Sequence, residues 1–268
     1  MRVRRLALAA LLAMTLGACG TEDPPSAPPT TAVPLPNMAP DPDDRCAIAV
    51  PGEKVVLAAE DGLPLAAARF GTGHDSVVLA HQRGSDLCGW APYVADLVAK
   101  GLQVLAVDLR CHGYSECPAD DVGDDLNRDY AADVGAAVAE LRRTGASRVT
   151  VLGASMGAAA VFVAAGRYPD EIDGVIALSI FSASASVSAS GVTSASDAAA
   201  HVTAPTLICL STGDASSIQT GVAEALIAAG AAKADGSVVV RPGGTHGWDM
   251  LRDPVVREAV FSFLRAHG

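Results

Sequence analysis

Hydrophobic and polar positions change period repeatedly along the chain. Short valine-rich apolar runs alternate with longer stretches whose apolar residues recur at helical spacing, the pattern of strands alternating with helices. The runs Lys54–Ala59 and Leu63–Arg69 are separated by Glu60-Asp61-Gly62, a hairpin signal. Ser76–Ala80 and Leu102–Val107 predict two more strands, with a helical pattern from Trp90 to Lys100 between them. Tyr130–Leu141 reads as an alanine-rich amphipathic helix that Asp129 can cap. Arg148–Leu152 predicts a strand that turns at Gly153 straight into an apolar helix, Met156–Arg167. Gly174–Leu178, Thr206–Leu210 and Ser237–Arg241 complete a set of eight strands. Further helices are expected around Val222–Ala229 and over Val255–Ala266, while the serine-rich stretch Ser182–Ser196 reads as a loop.

This order predicts an α/β fold: a mostly parallel eight-stranded sheet with helices on both faces. Right-handed crossovers then align the carboxyl ends of the parallel strands along one edge, where a site belongs.

The first 45 residues follow different rules. Arg2, Arg4 and Arg5 form a basic start, and Leu6–Leu16 is an apolar run too short to span a bilayer. The run ends in Leu16-Gly17-Ala18-Cys19, which resembles a bacterial lipobox. That likeness implies cleavage before Cys19, lipid attachment to its thiol, and anchoring to the outer face of the cytoplasmic membrane. An ordinary secretory signal is the alternative. The proline-rich stretch after Cys19 has too little apolar surface to fold, so residues 19–45 are expected to be a tether and residues 46–268 the folded domain.

Composition narrows the function. The chain has 268 residues, 50% of them hydrophobic, which suits one well-buried domain plus a tail rather than a disordered protein. Nineteen basic against 30 acidic residues give a net charge of −11, and losing Arg2, Arg4 and Arg5 with the leader takes it to −14. Such a surface has no phosphate-neutralising face, so no nucleic-acid partner is expected, and membrane contact is expected through the lipid alone. Cys209 lies in an apolar strand and should be a buried free thiol. Cys46, Cys88, Cys111 and Cys117 lie in loops or at element ends, where an oxidising envelope favours disulfides. Four cysteines allow three pairings, and the sequence does not choose.

The candidate chemistry sits at predicted strand ends. Gly153-Ala154-Ser155-Met156-Gly157 has the G-x-S-x-G form, directly after a strand and before a helix. In that context the glycines let strand and helix approach closely while Ser155 sits on a strained turn, its hydroxyl lifted above the sheet edge. A serine needs a base. His246, in a glycine-rich loop between the last strand and the last helix, is the best placed of six histidines. His74, His201 and His267 are expected away from the site, and His81 and His112 to shape it by hydrogen bonds. Asp214, after the strand Thr206–Leu210, is the candidate carboxylate to fix the imidazole tautomer. An oxyanion hole needs two backbone N–H groups. Met156 supplies one, and the loop His81-Gln82-Arg83-Gly84 the other, with Arg83 favoured and Gln82 next. The acidic loop Asp120, Asp121, Asp124, Asp125 and Asp129 lacks EF-hand spacing, and neither a metal nor another cofactor is expected.

Taken with Asp108-Leu109-Arg110-Cys111-His112-Gly113-Tyr114-Ser115, which is similar to a D-x-R-G-H-G-x-S stretch, these motifs resemble the serine hydrolases of the α/β-hydrolase superfamily. The resemblance spans essentially all of residues 50–268. Cys111 and Gln82 stand where those proteins usually have glycine. The resemblance implies a carboxylic-ester hydrolase working through an acyl-enzyme on a small-molecule ester, with little or no cap domain over the cleft. A peptidase or thioesterase on the same residues, an acyltransferase, and a non-catalytic ligand-binding lipoprotein are the alternatives. The sequence does not choose among acyl lengths or oligomeric states.

Overall fold

The structure is a computed structural model that describes residues 40–121, 128–180, 194–214 and 236–267. Eight strands form where the apolar runs lie: β1 Gly52–Ala58, β2 Pro64–Phe70, β3 Asp75–Ala80, β4 Gln103–Val107, β5 Arg148–Ala154, β6 Gly174–Leu178, β7 Thr206–Ser211 and β8 Gly236–Arg241. They make one sheet in the order β1-β2-β4-β3-β5-β6-β7-β8. Only β2 runs antiparallel to its neighbours, β1 and β4; every other pair is parallel.

The two faces of the sheet divide the core by strand period. Val78, Ala80 and Val151 face one side, under the helices α3 (Tyr130–Arg143), α4 (Met156–Arg167) and α5 (Ala195–Ala199). Val77, Leu79 and Leu152 face the other, under α2 (Ala91–Ala99) and α6 (Pro254–His267). Covered on both sides, β6 and β7 are buried at every position, which is why they read as unbroken apolar runs rather than alternations.

Element starts follow local chemistry. The Asp129 carboxylate caps α3 by accepting the Ala132 N–H at 3.3 Å, as expected. The helix expected over Trp90–Lys100 forms as α2, and a 3-10 turn, Leu87–Trp90, precedes it, started by the Asp86 carboxylate accepting the Cys88 N–H at 2.8 Å. Pro92 then fits the first turn of α2, where its missing N–H has no role. The loop expected over Ser182–Ser196 gives way at its end to α5, capped by Ser194; its earlier part and the helix expected around Val222–Ala229 lie outside the described residues. The expectation of little or no cap rests largely on the same stretch.

One segment departs from its expected role. Residues 40–45 fall within the stretch expected to be a tether, yet Pro42–Cys46 form a short helix, α1, with Pro42 buried. The Arg45 side chain is largely covered, its guanidinium 2.7 Å from Asp108 and 2.9 Å from Asp86. A charge is kept out of water only with such partners, so the packed domain starts before Cys46.

Candidate active site

The carboxyl ends of the parallel strands bring the candidate residues to one edge. Ser155 follows β5, Asp214 follows β7, and His246 follows β8.

Ser155 has φ 52° and ψ −111°, a conformation a side-chain-bearing residue adopts only when its surroundings impose it. The imposition is visible at the flanking glycines. A Cβ at Gly153 would lie 2.1 Å from the Gly157 carbonyl oxygen, and one at Gly157 would lie 2.2 Å from the Ala80 carbonyl oxygen. Strand β5 and helix α4 therefore meet with no linker, and the turn between them is the serine itself. Its N–H donates to the Leu178 carbonyl at 2.8 Å. The N–H of Met156, which opens α4, belongs to the first helical turn, whose amides have no acceptor within the helix.

The loops after β7 and β8 are joined by backbone bonds. Thr212 donates to Arg241 at 2.9 Å and Gly213 to Gly243 at 2.7 Å. This places the Asp214 carboxylate, nearly fully buried, 2.6 Å from His246 Nδ1. Nδ1–H donates to that oxygen, so the lone pair resides on Nε2, the tautomer a general base requires. The His246 side chain keeps 30% of its exposure. The next residue is held from below: the Gly247 N–H donates to Ser179 Oγ at 2.9 Å, and that hydroxyl donates to the Met250 sulfur at 3.3 Å. A Cβ at Gly247 would lie 3.6 Å from Ala154 Cβ, so the histidine loop packs directly beside the serine turn.

No sequence motif marks Ser179, which supports the histidine loop. It directly follows β6, fully buried at φ 57°, and only its position just past a strand end could have pointed to it.

The loop after β3 is anchored through His81. This fully buried ring donates from Nδ1 to the Gln82 carbonyl at 2.8 Å and accepts the Leu109 N–H on Nε2 at 3.1 Å. Burial, opposed in part by the Gln82 carbonyl, takes its pKa down to about 4, so the ring stays neutral. Arg83 and Gly84 form the turn that follows, with the Arg83 side chain exposed. Gln82 packs against the histidine loop, for its buried Oε1 would lie 2.0 Å from a Cβ at Gly247. The side chain that replaces the usual glycine thus spends its bulk against Gly247.

His112 lies against His81 with ring centres 5.0 Å apart and planes tilted by 58°, and its Nδ1–H donates to the Arg110 carbonyl at 2.9 Å. Cys111 adopts φ 63°, the left-handed conformation glycine would supply, and is held there by a disulfide to Cys117. The other bridge is Cys46–Cys88. Neither Cys88 nor Cys111 is then available as a nucleophile. Cys209 is a buried free cysteine whose thiol burial pushes up to about 12. His74 and His201 are exposed and away from this edge, as expected; His267, at the far end of α6, is half-buried against Phe263.

In the acidic loop, Asp121 pairs with Arg128 at 2.7 Å and Asp129 with Arg167 at 2.9 Å, while Asp124 and Asp125 lie outside the described residues. Asp121 also approaches Cys111 and Cys117, but their sulfurs are bonded to each other and offer no thiolate to a metal.

Residues 75–198 match the family described as alpha/beta hydrolase fold. Among solved structures, the Pyrococcus furiosus esterase Pf2001 is similar with a TM-score of 0.67 at 18% identity, over 87% of this chain and 97% of that one. A thermophilic esterase from Thermogutta terrifontis gives a TM-score of 0.62 at 20% identity, over 81% and 100% of the two chains. A predicted CIB-like hydrolase from Thermoplasma acidophilum gives 0.61 at 20%, again over 81% and 100%. No curated protein matches the chain in sequence. Sheet order, helical layers and these likenesses agree: the chain has the α/β-hydrolase fold.

Proposed function

We propose that the protein is a serine hydrolase that cleaves carboxylic esters through an acyl-enzyme. The observation that carries this reading is that one sheet edge holds both a serine at φ 52° between β5 and α4 and a histidine whose Nδ1 lies 2.6 Å from a buried aspartate. The fold and the esterases among its structural relatives add support.

In this mechanism Ser155 Oγ attacks the acyl carbonyl carbon and His246 Nε2 takes the hydroxyl proton. The carbonyl oxygen, now an oxyanion, is held by the Met156 and Arg83 N–H groups. Collapse of the tetrahedral intermediate expels the alcohol, which takes the proton from His246. A water molecule, deprotonated by the same nitrogen, then attacks the acyl-serine and releases the acid. Asp214 fixes the histidine tautomer and stabilises the imidazolium. The chemistry needs no cofactor.

The test is turnover of p-nitrophenyl esters of increasing acyl length by the wild type and Ser155→Ala. The variant should lose about 10⁴-fold or more in kcat, and Asp214→Asn about 10⁴-fold through the wrong tautomer. Equal rates in folded wild type and Ser155→Ala on every ester would remove the ester reading. Failure of the wild type to react with a fluorophosphonate would remove the serine-hydrolase reading altogether.

We further propose that Cys19 carries lipid and anchors the domain to the outer face of the cytoplasmic membrane. Palmitate labelling of the expressed chain should disappear in Cys19→Ser; labelling that persists overturns it.

A further inference from the structure

We propose that Arg45 and the Cys46–Cys88 disulfide form a clamp from the N-terminal arm that positions the His81–Trp90 loop, and with it the Arg83 N–H, for ester chemistry. The proposal rests on the hydrolase reading above for its functional half and on geometry for its structural half.

The His81–Trp90 loop is fixed at both ends by different means. Near β3, His81 ties the Gln82 carbonyl to the Leu109 N–H. At the far end the grip comes from outside the sheet. Arg45 Nη1 and Nη2 reach the two Asp108 oxygens at 2.7 and 3.0 Å, and Nη2 also lies 2.9 Å from Asp86. Asp108 is fully buried and accepts the Leu87 N–H at 2.9 Å and the Tyr114 N–H at 2.8 Å. The other Asp86 oxygen accepts the Cys88 N–H at 2.8 Å. One planar guanidinium therefore joins the carboxylates that hold consecutive amides, Leu87 and Cys88, of the same loop. The next residue in the arm, Cys46, is covalently bonded to Cys88.

The clamp also reaches the histidine side of the site. Gly89, the next residue after Cys88, packs so closely on the Trp248 ring that a Cβ there would lie 2.1 Å from it. Trp248 is two residues beyond His246. Movement at residues 86–89 is thus transmitted both to the turn carrying Arg83 and to the segment carrying His246. Arg45 touches none of the proposed reacting atoms, so it is a positioning residue. It lies outside residues 75–198, the stretch matched by the hydrolase family, and belongs to this chain's own N-terminal arm.

The experiment compares the full chain, oxidised, as wild type, Arg45→Gln, Arg45→Lys and Cys46→Ser/Cys88→Ser. Two quantities are read: amide hydrogen exchange over residues 82–90 against α3 and α4, and kcat and KM on p-nitrophenyl acetate. In Arg45→Gln, loop exchange should quicken about tenfold or more while α3 and α4 keep their protection, and kcat should fall about tenfold with KM within about threefold. Arg45→Lys, keeping the charge but not the fork, should recover part of both. The double serine variant should move both in the same direction.

Loop exchange unchanged in Arg45→Gln overturns the clamp. So does exchange that rises evenly through the molecule with kcat per folded molecule preserved, which is the signature of a merely structural ion pair. If Arg45→Gln does not fold, Arg45→Gln/Asp108→Asn, which leaves no unpaired buried carboxylate, is read by the same criteria. A wild type that neither turns over esters nor reacts with fluorophosphonate removes the hydrolase reading, and the exchange measurement alone then decides the clamp.

Discussion

His81 makes the stability of this fold depend on pH in a way that a single substitution isolates. The ring is fully buried and its pKa is about 4, against 6.5 for an ordinary histidine. Above pH 6.5 the ring is neutral folded and unfolded, and contributes no pH dependence. Between pH 6.5 and 4 the unfolded chain binds a proton that the folded chain refuses, so stability falls as pH falls. Below about pH 4 both states are protonated and the loss is complete. A pKa of about 4 in place of 6.5 amounts to about 3 kcal/mol, of which about 2.5 kcal/mol is gone by pH 4.5. Asp133 works against this in the same window, since burial lifts its carboxyl to about 6 despite the Arg110 guanidinium, and a raised acid stabilises the fold as pH falls. The wild-type curve alone therefore mixes two opposite slopes, whereas the difference between wild type and His81→Asn removes the Asp133 contribution. At pH 7.5 the variant should be less stable by about 2 kcal/mol, because the Leu109 N–H loses its acceptor in a buried site. At pH 4.5 that gap should vanish, since the wild type has lost a comparable amount and asparagine does not titrate. Urea unfolding of both proteins, disulfides intact, at the two pH values measures it. A gap of equal size at both would refute the reasoning and show that His81 titrates alike in folded and unfolded chains.

Three other perturbations follow from the same geometry. Removing Cys46–Cys88, which links residues 42 apart, should cost about 4 kcal/mol, and removing Cys111–Cys117, only 6 apart, about 2 kcal/mol. The order of the two Tm losses in serine double variants checks this. Gly157→Ala forces a methyl group against the Ala80 carbonyl and should destabilise the fold by about 3 kcal/mol, seen as a lowered Tm with ester turnover falling alongside. Ser179→Ala leaves the Gly247 N–H unpaired in a buried site, so urea unfolding should show a loss of about 1–3 kcal/mol. Its kcat on p-nitrophenyl acetate should fall about tenfold as the His246 loop loosens; an unchanged kcat would separate Ser179 from histidine positioning.

What was readable in advance depended on whether a residue's partner lay in its own element or in another. The strands announced themselves because a strand buried on both faces excludes polar residues over its whole length, as in Gly174–Leu178 and Thr206–Leu210. Asp129 capped its helix as expected because a cap and the amide it accepts are three residues apart. The turn at Ser155 was legible for the same reason: its glycines serve contacts between one strand and the helix that follows it, although the Ala80 carbonyl that makes Gly157 obligatory comes from a different strand.

Arg45 shows the limit. In Asp41-Pro42-Asp43-Asp44-Arg45 it looks like one charge in a proline-rich, solvated tail, and local composition gives no other reading. Its burial is decided by Asp108, 63 residues away, which itself already holds two backbone amides and carries a charge that needs a counterion. The disulfide pairing was unreadable on the same ground, since Cys46 meets Cys88 only because α1 has docked beside the Leu87–Trp90 turn. Ser179 is silent for a subtler reason: its hydroxyl answers a demand made by the Gly247 amide, and that demand exists only once β8 has brought the histidine loop across β6. A candidate nucleophile, base and carboxylate can be found in a sequence because each must be a particular residue type at a strand end. The residues that hold them answer to neighbours set by the fold, and many residue types could have answered.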